Sequence, residues 1–215
     1  MEYFDPSTSK ASIKNLSETN LRLVVGQDLM PSFYRLLAKG FMVNVRGSFS
    51  IKELLCQQLG IPDDYLEERI QTIFLDGKAV DNVSSTIVKE GSTLALSAAM
   101  PGVVGAMLRK GGYYAAMRAQ ISHPKEDRTN NDQTGKVKLK LFNLTAKEIG
   151  PFFLDQGIWI SGTDLENILS NYRSSFQTGC RLAELNKKKL TIDELCQLNW
   201  QGKEIFLQVK VSKDG

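Results

Sequence analysis

Histidine and cysteine are scarce in this chain, and their scarcity excludes several kinds of site. His123 is the only histidine, which rules out the His-Glu-x-x-His metalloprotease motif and zinc sites built from three histidines. The three cysteines, Cys56, Cys180 and Cys196, are an odd number, lie far apart and form no C-x-x-C pair. This usage is typical of a reducing compartment and not of a disulfide framework.

Long apolar runs and phosphate-binding motifs are also missing. No run approaches the ~18 apolar residues of a membrane span, and residues 1–14 lack the apolar core of a signal peptide. No glycine is followed by Lys-Ser or Lys-Thr, so the chain has no P-loop. We therefore expect a cytoplasmic protein without a membrane span, a metal ion or a cofactor.

What the chain does contain is an ordinary globular composition with an uneven charge distribution. Its 215 residues are 42% hydrophobic and 24% charged, which is enough to bury a core. The net charge of +3 hides a change of sign: residues 61–100 carry 3 basic and 7 acidic side chains, and residues 101–145 carry 8 and 3. This predicts either a domain boundary near residue 100 or two surfaces that attract each other.

The first hundred residues predict a flexible tail followed by one α+β domain. Residues 1–19 are polar and form the tail. Ser50 and Glu53 have the spacing of a capping box at the start of a helix. Apolar periodicity and turn residues predict the remaining elements, which are strands 21–25, 41–46, 70–75 and 93–97 and helices 31–39 and 50–60.

The second half of the chain predicts a separate, smaller α+β domain. Residues 101–136 are a basic, glycine-rich connecting segment and a polar loop. Further capping boxes are predicted at Thr145–Glu148 and Thr191–Glu194. Alternating apolar residues predict strands at 137–142, 158–160 and 204–211. The predicted domains are therefore residues 20–100 and residues 137–215.

The order of elements in the first domain is similar to that of a known superfamily. Strand 41–46, helix 50–60 and the strands that follow resemble the ubiquitin-like β-grasp proteins. Within them the chain resembles the sulfur carriers, which include the small subunit of molybdopterin synthase and the thiamine sulfur carrier. Residues 74–80 (FLDGKAV) and 87–96 (IVKEGSTLAL) carry the likeness, which extends over about residues 21–102. The resemblance implies a β-grasp domain followed by a second small α+β domain.

The chain departs from these carriers where their chemistry takes place. Sulfur carriers act through the carboxylate of a free C-terminal Gly-Gly, whereas this chain continues for more than a hundred residues beyond Gly102. One internal stretch, residues 108–112 (LRKGG), resembles the tail of ubiquitin. Cleavage after Gly112 would expose such a terminus, so Gly111 and Gly112 are candidate processing residues.

The glycine-rich segment 100–122 is the strongest candidate for a functional surface. It is apolar yet basic, and ordering so many glycines costs conformational entropy. We therefore expect it to pack against something, either as a connection between the two domains or as a docking or dimer surface. The candidate partner-binding residues are Arg109, Lys110, Tyr113, Tyr114, Met117 and Arg118.

The sequence favours a non-enzymatic protein-interaction module that self-associates or docks a partner through segment 100–122. No catalytic residue is assigned: His123 is interpreted as a surface histidine, and the acidic residues near Asp63 and Glu67 as a solvated face. One alternative is a sulfur carrier or ubiquitin-like modifier precursor processed after Gly112. The other is an RNA-binding protein, because residues 101–145 are basic, although no basic and aromatic stacking motif is evident.

Overall fold

A computed structural model describes residues 19–114 and 134–212, which form a mixed α+β fold. The strands are β1 (Thr19–Val25), β2 (Phe41–Arg46), β3 (Phe49–Ser50), β4 (Thr72–Leu75), β5 (Lys78–Ala79), β6 (Ile87–Val88), β7 (Thr93–Ser97), β8 (Thr134–Phe142), β9 (Ile158–Ser161), β10 (Cys180–Leu185), β11 (Lys188–Lys189) and β12 (Glu204–Val211). The predicted α+β class is confirmed.

The helices are short. The α-helices are α1 (Pro31–Lys39), α2 (Gly102–Leu108), α3 (Leu144–Glu148), α4 (Gly150–Gln156), α5 (Gly162–Asn171), α6 (Arg173–Gly179) and α7 (Ile192–Gln197). Gln27–Leu29 is a 3-10 turn, and two further helices, Glu53–Gln58 and Tyr65–Arg69, have π-type hydrogen bonds. None of the described helices combines the length and apolarity needed to cross a membrane.

Local sequence signals account for where many of these elements begin and end. α1 has Pro31 in its first turn and ends at Gly40, whose φ of 114° suits a residue without a side chain. The Gly40 N–H donates to the Leu36 carbonyl oxygen at 2.9 Å and closes the helix. The predicted helix 31–39 and strand 41–46 are confirmed with these bounds.

Ten strands form one mixed sheet. Their order across the sheet is β11-β10-β1-β12-β9-β2-β8-β7-β4-β5, and β3 and β6 pair separately. Two neighbouring pairs are parallel, β1 with β12 and β7 with β8. Each parallel pair joins a strand from the first half of the chain to a strand from the second half.

This strand order does not follow the predicted division into domains 20–100 and 137–215. β1 lies between β10 and β12, and it pairs with β12 along its whole length. β8 lies between β2 and β7. β1, which was expected to begin the first domain, therefore lies among strands of the second half of the chain. β8, which was expected to begin the second domain, lies among strands of the first half. The insertions place β1 and β8 each between two pairing strands, so that neither of them is an edge of the sheet.

The two halves of the chain share one order of elements. Apart from the separate pair β3 and β6, residues 19–97 run strand, two helical segments, strand, two helical segments, two hairpin strands and a last strand, and residues 134–211 follow the same order with α7 added before the last strand. A short hairpin is the clearest common feature, turned at Asp76 in the first half and at Asn186 in the second, both with positive φ. The two halves therefore exchange their first strands within one sheet.

One hydrophobic core lies between the helices and one face of the sheet. Side chains that alternate with the core residues on β1, β2, β8 and β12 are half-buried or exposed, so the second face of the sheet is only partly covered. The two halves of the sheet meet where β9 lies beside β2. Among the described residues, Met42 and Trp159 form the one backbone pair between these strands.

Candidate functional site

The predicted partner-binding segment contains α2 and the turn that follows it. α2 begins after Pro101 and ends at Leu108, and its Gly105 is buried. A Cβ atom at Gly105 would lie 1.9 Å from the carbonyl oxygen of Met100. Because no side chain is present there, the helix packs closely on Met100 and directs its other side outward.

The outward side of this segment is apolar. Val103 is 75% exposed and Tyr113 is 91% exposed, and three further apolar or aromatic side chains are exposed with them: Val104, Met107 and Tyr114. The Tyr113 and Tyr114 rings meet edge to face with their centroids 5.2 Å apart. Single exposed apolar side chains are ordinary, but a group of five in one short segment is typical of an interaction surface. We call these five side chains the α2 patch.

Lys110 holds the segment against the rest of the protein. Its Nζ donates to the carbonyl oxygen of Leu66 at 2.8 Å and lies 3.6 Å from Oε2 of Glu67. Its backbone N–H donates to the carbonyl oxygen of Gln71 at 2.7 Å. Only 10% of the Lys110 side chain is exposed, and burial lowers the pKa of this lysine. Lys110, a predicted partner-binding residue, therefore faces inward and acts as an anchor.

The remaining predicted residues differ in their surroundings. Arg109 is exposed. Gly111 has a φ of 60°, and its N–H donates to Oδ1 of Asp81 at 3.1 Å. The Gly112 N–H donates to the carbonyl oxygen of Arg109 at 3.1 Å. Met117 and Arg118, the last two predicted partner-binding residues, lie outside the described residues.

Some of these contacts join the basic stretch 101–145 to the acidic stretch 61–100. Glu67 and Asp81, which contact the basic segment, belong to the acidic stretch 61–100. Lys110, which belongs to the basic stretch, lies 3.6 Å from the Glu67 carboxylate. The acidic and basic stretches thus attract each other within one chain. Across residues 19–114 and 134–212 no group of three or more His, Cys, Asp or Glu side chains is placed to hold a metal ion.

The candidate processing site at Gly111 and Gly112 precedes β8 in the chain. β8 nevertheless belongs to the half of the sheet that contains the N-terminal strands β2 and β7. β8 pairs with β2 on one side and with β7 on the other. Cleavage after Gly112 would leave β8 on the C-terminal fragment, so a released N-terminal fragment would expose the edges of both neighbours. The geometry therefore does not favour a free modifier that ends at Gly112.

The surroundings of the three cysteines disfavour the thiolate form of their side chains. Cys56, Cys180 and Cys196 are free and half-buried. Burial raises the pKa of each of the three thiols, whereas a nucleophilic cysteine needs a lowered pKa. His123 lies outside the described residues.

Sequence reasoning assigned no function to the partly covered face of the sheet, where aromatic and basic side chains meet. Lys136 Nζ lies 4.2 Å from the centroid of the Trp159 ring and 2.6 Å from Oε2 of Glu204. The Trp159 and Phe206 ring centroids are 5.2 Å apart. Alternating lysines along β8 were a visible signal in the sequence. The aromatic partners were not, because they come from β9 and β12, whose positions depend on strand order.

In comparisons with protein-family models, with curated proteins and with solved structures, nothing matches the chain.

Proposed function

We propose that this protein is a non-enzymatic interaction module that self-associates through the α2 patch. The observation that carries the proposal is the exposure of Val103, Val104, Met107, Tyr113 and Tyr114 on one anchored segment. Burying such side chains contributes about 25 cal/mol for each Å² of apolar surface removed from water. An apolar surface of this kind is therefore a favourable place for a second protein surface to bind.

Anchoring of the segment supports the proposal because it prepares the surface before binding. Lys110 and Gly111 together connect the end of α2 to Leu66, Glu67 and Asp81. A segment that is already ordered loses little conformational freedom when a partner binds, and more of the contact energy appears as affinity.

A second copy of the chain is the partner that the chemistry of α2 fits best. Residues 102–108 contain no charged side chain. In a two-fold symmetric dimer the same patch is used twice, so that a charge close to the symmetry axis would face its own like charge. The uncharged helix avoids this repulsion, and its small residues Gly102 and Ala106 would allow two copies of the helix to approach closely.

We further propose that the half of the sheet formed by β2, β8, β7, β4 and β5 is a β-grasp unit that presents the patch. In the β-grasp fold the first and last strands are parallel neighbours, and the support here is that β8 and β7 are parallel neighbours in the middle of this half. β8 then takes the place of the first strand although it comes last in the chain. The role assigned to the unit rests on the patch and not on the fold.

The proposal is tested by the V103S/V104S/M107S variant. In sedimentation velocity over a range of concentrations, wild type should form dimers, and the variant should dissociate at least about tenfold more readily, because exposed apolar anchors dominate such contacts. Circular dichroism should show an unchanged fold, since the three side chains are exposed.

The matched control removes exposed apolar side chains elsewhere. In the L144S/L198S variant two such residues are lost on α3 and after α7, and its dimerisation should equal that of wild type. A wild type that stays monomeric at every concentration, or a triple variant that dimerises as wild type does, would overturn self-association through the patch.

A further inference from the structure

A cleft opens where the two halves of the sheet meet, far along the chain from the α2 patch. β9 is short and pairs with β2 only at Met42 and Trp159, as far as the described residues show. Beside this pair lies a cleft of about 380 Å³, which is lined by residues of β2, β9, β12, α4 and the end of the helix Glu53–Gln58. This volume lies in the range of small-molecule sites.

The backbone of β2 presents free hydrogen-bonding groups to this cleft. On β8, the Lys138 N–H donates to Ser92 and the Lys136 carbonyl accepts from Gly91, both on the β7 side. Successive residues of a strand direct their backbone groups to opposite sides. The alternate residues of β8 therefore bond to β2, and the backbone groups of Met42, Asn44 and Arg46 point away from β8.

Of these three residues, only Asn44 has no hydrogen-bond partner for its backbone groups within the described chain. Met42 pairs with Trp159, and the Arg46 N–H and carbonyl are bonded by the side chain of Gln58 at 3.3 and 3.2 Å. The Asn44 N–H and carbonyl form no hydrogen bond with another residue of the described chain. Asn44 therefore offers one donor and one acceptor side by side, at the wall of the cleft.

The other walls of the cleft combine amide groups with aromatic rings. Gln57 and Gln156 add two primary amides that form no hydrogen bond within the described chain, and Phe152, Trp159 and Phe206 add apolar surface. No ionisable side chain of the described residues lines the cleft. Phe206 can lie there because its ring rests against the backbone of Gly157, where any side chain would collide with it.

This lining selects a chemical class of ligand. An ion would be desolvated without an opposite charge to compensate it, and a purely apolar ligand would leave the amides unpaired. We propose that the cleft binds an uncharged planar nitrogen heterocycle, a nucleobase or nucleoside. The edge of the ring would bond to the Asn44 backbone and the glutamine amides, and its faces would contact the phenylalanine rings.

The proposal is tested on the full chain by nuclear magnetic resonance with adenosine, guanosine, cytidine and uridine as separate probes. At least one should shift the backbone amide signal of Asn44 and the indole signal of Trp159 with a saturable curve. Orotate, a uracil that carries a carboxylate, should bind at least about tenfold more weakly than the best nucleoside because the cleft has no cation to pair with it.

Two variants test whether the glutamine side chains that line the cleft bind the nucleoside. Q57L/Q156L removes both amides and should raise Kd at least about tenfold, since a lost hydrogen bond in each position weakens binding. Q197L, at an exposed position on α7, should leave Kd unchanged. The proposal fails if no nucleoside shifts the Asn44 amide up to its solubility limit, if orotate binds equally well, or if Q57L/Q156L binds as wild type does. None of these residues lies in the α2 patch, so the result is independent of self-association.

Discussion

The ring of Phe206 lies directly against the backbone of Gly157, and a Cβ atom at Gly157 would come within 2.1 Å of its Cζ. Gly157 also has a φ of 99°, which side chains disfavour. We expect G157A to lose about 2–4 kcal/mol of unfolding free energy, because the collision adds to the backbone strain. Urea unfolding followed by circular dichroism measures this loss.

G202A is the matched control for this prediction. Gly202 has a φ of 69°, but nothing lies within 4 Å of the position of its Cβ atom. Only the backbone strain remains there, so we expect a smaller loss of about 1–2 kcal/mol. Equal losses in the two variants would show that the contact with Phe206 adds no cost.

Two buried threonines should respond in opposite ways to the loss of their hydroxyl groups. Thr72 is fully buried, and its Oγ1 has no hydrogen-bond partner within the described chain. Replacing an unsatisfied hydroxyl with a methyl group of the same shape removes a desolvation cost. T72V should therefore be as stable as wild type or up to about 1 kcal/mol more stable in thermal and urea unfolding.

Thr145 provides the comparison at equal burial. Its Oγ1 lies 2.6 Å from the carbonyl oxygen of Phe142 and 3.0 Å from that of Leu96, as a donor to these two acceptors. T145V removes the donor and leaves both acceptors without it, so we expect a loss of about 1–3 kcal/mol. If T72V were destabilised as much as T145V, the packing of the methyl group and not hydrogen bonding would decide both results.

The contact of Glu148 with Arg69 and Tyr65 should make stability depend on acid pH. Hydrogen bonding to Arg69 lowers the pKa of Glu148 below its ordinary value of 4.5, and the Tyr65 hydroxyl donates to the same carboxylate at 2.8 Å. Because the pKa is lower in the folded state, this contribution is present above 4.5 and is lost as the pH falls through the folded-state pKa.

The E148Q variant measures this dependence. It should be less stable than wild type at pH 7, and the difference in urea midpoint should shrink as the pH falls below 4.5 and through the lowered folded-state pKa of Glu148. E166Q alters an exposed glutamate on α5 and should follow wild type at every pH. A difference between E148Q and wild type that stays constant down to pH 2 would contradict the role of ionised Glu148.

The exchanged strands predict that residues 1–112 do not fold by themselves. Without β8 the edges of β2 and β7 are unpaired, and without the second half β1 loses both its neighbours. The fragment should show no cooperative unfolding, and mixing it with residues 113–215 should restore the cooperative transition of the full chain. Cooperative unfolding of 1–112 alone would instead support a free modifier.

Local features of the fold were predictable where neighbours in the sequence decide them. The Ser50–Glu53 and Thr191–Glu194 capping boxes are confirmed, because each needs only two side chains three residues apart. The box predicted at Thr145–Glu148 is wrong. The Thr145 hydroxyl donates to the carbonyl oxygens of Leu96 and Phe142. The Glu148 carboxylate accepts hydrogen bonds from Arg69 and Tyr65, which lie 79 and 83 positions earlier in the chain. The two side chains therefore bond to other partners and not to each other.

The candidate site was predictable in part. Glycine content and apolar side chains marked segment 100–122, and exposed Tyr113 and Tyr114 are found there. The sequence could not show that Lys110 faces inward, because its partners at Leu66 and Glu67 are 44 and 43 residues earlier in the chain. The cleft beside Trp159 was hidden for the same reason, since its walls come from strands and helices far apart in the chain.

The sequence by itself determined the mixed α+β class, most strands and the inward faces of β2, β8 and β12, because a period of two depends only on the residues of one strand. Tertiary structure alone decided that β1 and β8 exchange halves. Alternation shows which side of a strand is buried but not which strand lies beside it. Strand order depends on backbone pairing between residues far apart in the chain. This pairing joins strands of the two predicted domains in one sheet.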